Sequence, residues 1–406
     1  MYDDDAVFEL FREGNLNGIF QFASQGIQVI AKKVQPRKLE DIALAIAMYR
    51  PGPLSSGIAF EIDSLRASPH KYGNGIVDSI LVDSGGIIVY QEQLMQVWQY
   101  VADGTMGEAD ILRKLVGKKI TGSPKWKKYR NMFFVGGKKK GMSDTSLQEL
   151  WSQIEGAGMY SFNKSHALSY AMLAYDTAYY KVYHPVAFFA SMMQYDSKNA
   201  LGYVLEATEM GYNIKPVDVN VSTNQYEIDG TNIIMPLSAV KGVGQVAVAS
   251  IIAERESNGA YLSCKDFRQR LPKRKVNKRV VRALFGLGGF DEFADYENLG
   301  LDDREVVDIK AMKNRELTKQ FLGFSLPTMK LMKAIKKNSH NNMMYGIITH
   351  VHEGIANSGR KYFKVVIWPD FKTFFFKKTY SVSEGDVVKI YFKPRTQSGT
   401  ALEVVG

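Results

Sequence analysis

The chain has 406 residues, enough for about two to four domains, and 45% of them are hydrophobic, so sizeable cores can form. No apolar run reaches the ~18 uncharged residues that a membrane helix needs. The acidic start "MYDDDAVFEL" also lacks the features of a signal peptide. The single cysteine, Cys264, excludes a disulfide framework and a cysteine-based zinc site and favours a reducing compartment.

The net charge of +10 is concentrated in two segments. Ile111 to Lys140 contains eleven Lys/Arg and no acid, and Lys265 to Arg282 contains nine basic residues and one acid, Asp266. Solvated basic faces usually interleave acids that pair with the cations at helical spacing. The two segments therefore indicate a polyanionic partner, either nucleic acid or nucleotide.

Up to about residue 210 the hydrophobic periodicity predicts helices. Early helices stop before Pro36 and at the "PGP" break, and another starts at about Gln91. The run "GEADILRKLVGKK" predicts a short helix with a basic end, and Thr145–Ala157 predicts a further helix. Residues 120–145 are basic and glycine-rich and are predicted to be mobile. One long apolar-aromatic helix pattern then covers Tyr160–Phe189.

After residue 210 the pattern changes twice. A short β-like stretch, "TNIIMPLSAVKGVG", precedes an amphipathic helix that ends at Asn258-Gly259, and a second helix follows. From Met343 onwards, five short β runs separated by turn residues predict a small barrel of the OB-fold type. His350 and His352 alternate within one of these runs without a nearby cysteine, so no metal site is predicted there.

The segment "KGVG" before a helix matches a helix-hairpin-helix hairpin. Lys241 precedes Gly242 and Gly244, which permit a tight turn whose bare N–H groups can hold a DNA phosphate. An ordinary glycine turn is the alternative, and the neighbouring basic block favours DNA. The candidate DNA-binding residues are Lys241, Gly242, Gly244, Lys273, Arg274, Lys275, Lys278 and Arg279.

Two other motifs gather donors for a phosphate group. In "ILRKLVGKK", Arg113, Lys114, Lys118 and Lys119 converge at a helix end, which suits a triphosphate; a solubilising helix end is the alternative. In "FNKSH", Asn163 or Ser165 can cap a helix whose N-terminus attracts anions. Lys164 and His166 add donors there, and a cap followed by a packed histidine is the alternative. Arg50 in "MYRPGPL" and Gln91 in "YQEQLMQ" are weaker candidates for supporting this site.

These phrases, in this order, resemble the C-family of bacterial replicative DNA polymerases, the DNA polymerase III alpha subunits. The resemblance covers roughly residues 7–340. It is carried by "GIFQFASQG", "ALAIAMYRPGPLSSG", "GIIVYQEQLMQ", "MGEADILRKLVGKK", "FNKSHALSYAMLAYDTAYYKVYHPVAF", "LSAVKGVG" and "VNKRVVRALFGLGGFD".

The resemblance implies a mainly α-helical fingers region, a helix-hairpin-helix region and a small OB-fold-like β-barrel. The implied domains are the fingers at 1–210, the duplex-DNA-binding region at 211–295, a connector at 296–342 and the OB-like domain at 343–406. Arg113 and Lys114 stand where the family has two arginines facing the phosphates of the incoming nucleotide, with Lys118 and Lys119 continuing the motif. Lys114 departs from the pair, because an ammonium keeps the charge but loses bidentate geometry.

The resemblance also implies partners: primer–template DNA, a dNTP and Mg²⁺. The palm aspartates that hold the magnesium ions in this family precede the matched region, so we expect them, with the Mg²⁺, on a separate palm-bearing chain. Glu61/Asp63, Glu108/Asp110 and Glu227/Asp229 are E-x-D pairs but none lies in a predicted palm strand. No catalytic residue is therefore assigned, and the isolated chain is expected to be inactive.

Several points stay open. The chain is either the product of a naturally split polymerase gene, as in a phage, or a truncated reading frame. Contact with a sliding clamp is undecided, because no clear glutamine-plus-aromatic pentapeptide is present. The expected location is the cytoplasm of a bacterium or a phage-infected host, with no membrane contact. A non-enzymatic DNA-binding protein derived from the polymerase is the alternative function.

Overall fold

A computed structural model describes two compact units, Met1–Tyr183 and His184–Gly406. Its sixteen described α-helices and eight described strands confirm the predicted order of a helical part followed by a small β domain. The predicted four-part division of the chain stays a prediction. The described residues are 2–118, 120, 122–301, 322, 343–356, 361–368, 372–376, 380–384, 386–392 and 399–404.

The first unit is made of helices. Their bounds are α1 Asp5–Glu13, α2 Gln25–Val34, α3 Leu39–Met48, α4 Pro51–Ser55, α5 Ile58–Ala67, α6 Gly75–Leu81, α7 Gln91–Ala102, α8 Met106–Gly117, α9 Pro124–Lys139, α10 Asp144–Tyr160 and α11 Lys164–Tyr183.

Helices α3 and α11 pack closely in this unit, because small residues line the contact. α3 is buried along Asp41–Met48, where it carries Ala43, Ala45 and Ala47. The buried face of α11 is an alanine row at spacings of four, three and four residues: Ala167, Ala171, Ala174 and Ala178. Such rows let two helix backbones approach. They fix the start of α11, which carries the "FNKSH" motif.

Helix α9 corrects the expectation of a mobile segment at 120–145. Trp126, Tyr129 and Phe133 recur at spacings of three and four residues and are all buried. Gly136 and Gly137 are buried as well. A Cβ on Gly136 would collide with the backbone of Val101 and Ala102, and a Cβ on Gly137 would collide with the side chain of Leu147. The glycines that suggested mobility are therefore the residues that let α9 pack.

The long helix pattern at Tyr160–Phe189 is also divided. Helix α10 ends at Tyr160, α11 runs from Lys164 to Tyr183, and α12 begins at Pro185. Proline disfavours a helical conformation in the residue before it, and His184 is non-helical, with φ −132° and ψ 50°. The dipeptide His184-Pro185 thus explains the second break.

The second unit continues with α12 Pro185–Tyr195, α13 Ala200–Glu209, β1 Asn213–Lys215, β2 Glu227–Asp229, β3 Asn232–Ile234, α14 Gln245–Asn258, α15 Cys264–Arg270 and α16 Lys278–Gly286. β3 lies between β1, to which it is parallel, and β2, to which it is antiparallel. Helices α14–α16 share one buried core that includes Val243, Ile251, Phe267 and Val280.

The five predicted β runs form one antiparallel sheet in the order β6-β5-β4-β7-β8. The strands are β4 Met343–Ile355, β5 Lys361–Trp368, β6 Lys372–Phe376, β7 Val387–Phe392 and β8 Gly399–Val404. Over these residues the edge strands β6 and β8 share no ladder, so the sheet is open, whereas the OB-like prediction expected a closed barrel.

The sheet packs against α13 within the second unit. Leu201 and Leu205 of α13 form a buried cluster with Ile347, Trp368 and Val387. The His350 Nε2 atom lies 2.7 Å from Asn199 Oδ1, which adds a polar contact at the start of α13. The ring of His352 packs on Tyr362 instead, 5.7 Å between centroids.

Among the described helices, none combines the length and the apolar character required to cross a membrane.

Candidate nucleotide and nucleic-acid interface

The starts of α7 and α11 meet at one point in the first unit. Tyr90 and Phe162 form an isolated parallel β-bridge. The Gln91 N–H donates to the Phe162 carbonyl (2.9 Å), and the Phe162 N–H donates to the Val89 carbonyl (3.0 Å). Two helix N-termini, each with partial positive charge, are thereby held side by side, which favours an anion. We call this place the α7–α11 junction.

Gln93 holds the α7 side of the junction. Its side chain is 6% exposed, and its Oε1 atom accepts from the Val89 and Tyr90 N–H groups at 3.0 Å each. Its Nε2 atom donates to the Ile80 carbonyl and the Ser84 hydroxyl. This buried amide fixes the extended backbone that forms the bridge.

Three predicted cations surround the junction. The Arg113 Nη1 atom donates to Gln91 Oε1 (3.3 Å), which links α8 to the start of α7. The Arg50 guanidinium lies over the Phe162 ring, 4.3 Å from its centroid, and burial lowers its pKa from the ordinary value. The Lys164 ammonium lies over the Tyr90 ring at 5.8 Å. The structure therefore brings Arg50, Gln91, Arg113 and Lys164 together.

Asn163 is the cap in the "FNKSH" motif. Its Oδ1 atom accepts from the His166 N–H at 2.8 Å, which decides between Asn163 and Ser165. The His166 side chain is exposed, and its ring lies between Phe162 (5.5 Å) and Tyr170 (4.3 Å). His166 thus continues a row of rings along α11 that starts at the junction.

Two carboxylates also belong to this place. Glu92 Oε2 accepts from the Lys164 N–H at 2.9 Å, so a side chain of α7 occupies an N–H at the start of α11. Asp110 binds both Arg113 and Lys114 on α8. The sequence motifs include Asp110 only in an E-x-D pair and give neither acid a role at the phosphate site. The spacing of Asp110 to Arg113 and Lys114, three and four residues, is that of helical ion pairs and was a usable signal.

The other predicted phosphate ligands lie at the end of α8. Lys118 is its exposed C-cap, one turn beyond Lys114, where a cation complements the helix dipole. Lys119 lies outside the described residues. Both interpretations of Lys118 therefore stay open: a ligand of phosphate, or a cation that only solubilises the end of α8.

The acid-free segment from Ile111 to Lys140 is less isolated than its sequence indicates. Asp110, just before it, pairs with Arg113 and Lys114. Lys138 pairs with Asp144 at 2.9 Å, and Lys140 pairs with Asp103. Over the described residues, four cations of this segment thus have acidic partners outside it. Folding therefore compensates part of the charge that the sequence leaves without acids.

The predicted DNA-binding residues form two hairpins in the second unit. Gly242 has φ +95°, a conformation that side-chain-bearing residues rarely adopt, and Gly244 is the N-cap of α14. A Cβ placed on Gly242 would lie 3.1 Å from Arg279 Nε. Because Arg279 belongs to α16, the "KGVG" turn and the second basic hairpin lie next to each other.

The second hairpin is the turn between α15 and α16. Its basic residues are exposed, while Leu271 and Val276 anchor it in the core. Asn277 caps α16 by accepting from the Val280 N–H at 3.1 Å. The exposed residues are Lys241 of the first hairpin and Lys273, Arg274, Lys275, Lys278 and Arg279 of the second.

The described part of this chain has no ready-made cluster of metal ligands. Mg²⁺ takes oxygen ligands in octahedral geometry, usually one or two carboxylates together with waters and substrate phosphates. Over the described residues no group of three or more His, Cys, Asp or Glu side chains could hold a metal ion. The carboxylates at the junction, Asp110 and Glu92, are already bound to cations or N–H groups.

Comparisons with known proteins find similar sequences for both parts of the chain. The family model of the bacterial DNA polymerase III alpha subunit finger domain matches residues 1–141, and a helix-hairpin-helix motif model matches residues 211–298. The first match contains Arg113 and the start of α7, and the second contains both hairpins.

Several curated proteins are similar over most of the chain. The DNA polymerase III subunit alpha of Thermus aquaticus is 38% identical over 309 residues, 73% of this chain and 25% of that protein. Its counterpart in Aquifex aeolicus is 35% identical over 294 residues, 71% and 25%. That of Buchnera aphidicola subsp. Schizaphis graminum is 33% identical over 355 residues, 84% and 30%. The chain thus spans a quarter to under a third of the length of these relatives.

Proposed function

Because the chain belongs to the family of bacterial DNA polymerase III alpha subunits, we propose that it binds the incoming dNTP and the primer–template for template-directed DNA synthesis. The α7–α11 junction would take the triphosphate, and the two hairpins would take the backbone of the duplex. The cytoplasm is the proposed site of action.

The observation that carries the proposal is the convergence at the α7–α11 junction. Two helix N-termini are joined by hydrogen bonds, and Arg50, Arg113 and Lys164 surround them. Guanidinium groups and helix N-termini bind phosphate oxygens well, and several charges are needed to match a triphosphate. Catalysis of phosphoryl transfer consists largely of positioning and neutralising such a group.

The metal-binding carboxylates come from a palm-bearing polypeptide in this proposal. Mg²⁺ bound there would neutralise the developing phosphate charge and activate the primer hydroxyl. The residues of this chain would orient the triphosphate through Arg113 and Lys164. The hairpins at Gly242 and Arg279 would hold the duplex.

Direct binding of a dNTP tests the nucleotide site. We expect the chain to bind a dNTP in calorimetric titration and Arg113→Ala to weaken the binding roughly tenfold or more, because one charge-assisted contact is worth ~1.5–3 kcal/mol. Arg37→Ala is the matched control. Arg37 is an exposed arginine just before the first residue of α3, whereas Arg50 follows the last residue of that helix. Equal affinities of the two variants would refute the assignment.

Reconstitution tests the activity. A palm-bearing fragment of the family, mixed with this chain, should extend a primer, and Arg113→Ala should raise the KM for dNTP in that mixture. Extension by this chain alone would contradict the proposed division of labour.

A non-enzymatic DNA-binding protein is the second candidate, favoured by the adjacency of the two basic hairpins. In that case the chain binds primer–template with affinity that falls steeply with salt, because lysines and arginines release condensed counterions. Reconstitution separates the candidates: DNA binding without dNTP binding and without extension in the mixture would favour the second. A flat salt response would contradict both.

A further inference from the structure

Asp110 holds the two cations that would face the triphosphate. Its Oδ1 atom accepts from Arg113 Nε at 2.9 Å and Nη2 at 2.7 Å, and its Oδ2 atom lies 2.7 Å from Lys114 Nζ. The third arm of the guanidinium, Nη1, donates to Gln91. One carboxylate therefore uses both its oxygens on the same donors that a phosphate group would use.

The carboxylate is ionised and accessible when it does this. The contacts from Lys114 and Arg113 lower the pKa of Asp110 below its ordinary value. The side chain of Asp110 is 36% exposed, and those of Arg113 and Lys114 are 29% and 60% exposed. A phosphate arriving from solvent can thus reach the same donors and exchange with the carboxylate.

Glu92 on α7 is a second carboxylate that occupies a group able to bind an anion. Its carboxylate accepts the Lys164 N–H at the start of α11, where an anion would otherwise bind. Two separate anion-attracting groups of the junction are thus each occupied by a carboxylate. Stabilisation of α8 would explain the contacts of Asp110 but not the contact of Glu92 with the start of α11.

We propose that Asp110 is a built-in competitor for the triphosphate, which holds Arg113 and Lys114 at their spacing in the unliganded protein and is displaced when phosphates bind. The inference rests on the proposed nucleotide site and adds a positioning residue to it. A protein whose binding-competent arrangement is only partly populated shows an affinity reduced by that fraction. Asp110 would thus weaken the binding of triphosphate, but it would keep the two cations arranged before the phosphates arrive.

Asp110→Asn tests the inference in calorimetric titrations of the full chain with inorganic triphosphate. We expect binding to tighten roughly three- to tenfold, the range set by two exposed ion pairs. Asp110→Glu should return the affinity towards that of the unmodified chain. The matched control is Asp63→Asn, which changes the net charge equally and breaks an exposed pair with Lys33 elsewhere in the unit.

The direction of the change separates competition from a structural role. A merely structural Asp110 would leave Arg113 disordered on replacement and weaken binding, and a bystander would change nothing; either result overturns the proposal. The gain should also disappear in an Arg113→Ala, Lys114→Ala background, because no donors remain to be released. A gain that persists there would likewise contradict the displacement.

Failure of the proposed function would look different. In that case the unmodified chain does not bind inorganic triphosphate, or Arg113→Ala binds it unchanged. A second pattern contradicts only the competitor role of Asp110. In that pattern the unmodified chain binds inorganic triphosphate and Arg113→Ala weakens the binding, but Asp110→Asn does not tighten it. Thermal unfolding of each variant shows whether the fold is retained.

Discussion

Replacing Gln93 by alanine should loosen the α7–α11 junction without unfolding the rest of the first unit. The side chain is 6% exposed and its Oε1 atom accepts the Val89 and Tyr90 N–H groups. Alanine would leave both backbone donors buried without that acceptor, at a cost of ~1–3 kcal/mol for each group. The bonds to Ile80 and Ser84 would be lost as well.

The expected cost is about 3 kcal/mol, since part of each penalty is relieved by local movement. This corresponds to about a hundredfold increase in local opening. Hydrogen exchange measured by mass spectrometry on peptides that cover residues 80–102 should show the loss at Val89 and Tyr90. Local opening is the right quantity, because a chain with two units need not unfold in a single step.

Gln96→Ala is the matched control, because it makes the same change on the exposed side of α7. Surface substitutions of this kind usually change the stability by less than ~0.5 kcal/mol. If the amides of Val89 and Tyr90 exchange as slowly in Gln93→Ala as in Gln96→Ala, the buried amide does not hold the junction and the reasoning is wrong.

Two further predictions concern the second unit. Gly242→Val should lower primer–template affinity and the melting temperature, because a side chain at φ +95° costs ~1–2 kcal/mol and would press on Arg279. Gly244→Ala, at φ −82° with open space around it, should leave the melting temperature nearly unchanged. Equal melting temperatures of the two variants, or an unchanged affinity of Gly242→Val in fluorescence anisotropy, would refute this. Burial, assisted by Asp295, raises the pKa of the Cys264 thiol to about 12, so a thiol reagent at pH 8 should label it only after unfolding. Since the folded pKa is the higher one, the thiol's contribution to stability is complete below the ordinary pKa and is lost as the pH rises towards 12; a Cys264→Ser variant with the same alkaline stability profile would contradict this.

Local patterns in the sequence predicted the helices and the five strands well, because periodicity and turn residues are local signals. They predicted α9 wrongly, since the meaning of Gly136 and Gly137 depends on what packs against them. The break at His184-Pro185 was readable from the proline, although the apolar pattern concealed it.

The sequence indicated most of the residues that lie at the candidate site, but it did not indicate how they are arranged. The motifs indicated Arg50, Gln91, Arg113 and Lys164, and the structure brings them together. The Tyr90–Phe162 bridge and the contact of Glu92 with the Lys164 N–H were missed, because single contacts between residues 72 positions apart leave no periodic trace. The assignment of these residues to a nucleotide remains a prediction.

The Tyr90–Phe162 bridge also determines how the chain passes through the first unit. The segment between these two residues, which contains α7–α10, leaves and rejoins the rest of the unit at adjacent points. Closing a flexible loop costs only ~0.6 kcal/mol more for each doubling of its length. Insertions between α8 and α9 would thus lengthen this segment at small entropic cost while its two ends stay paired. The helix starts on which Lys164 and Gln91 stand would then remain in register.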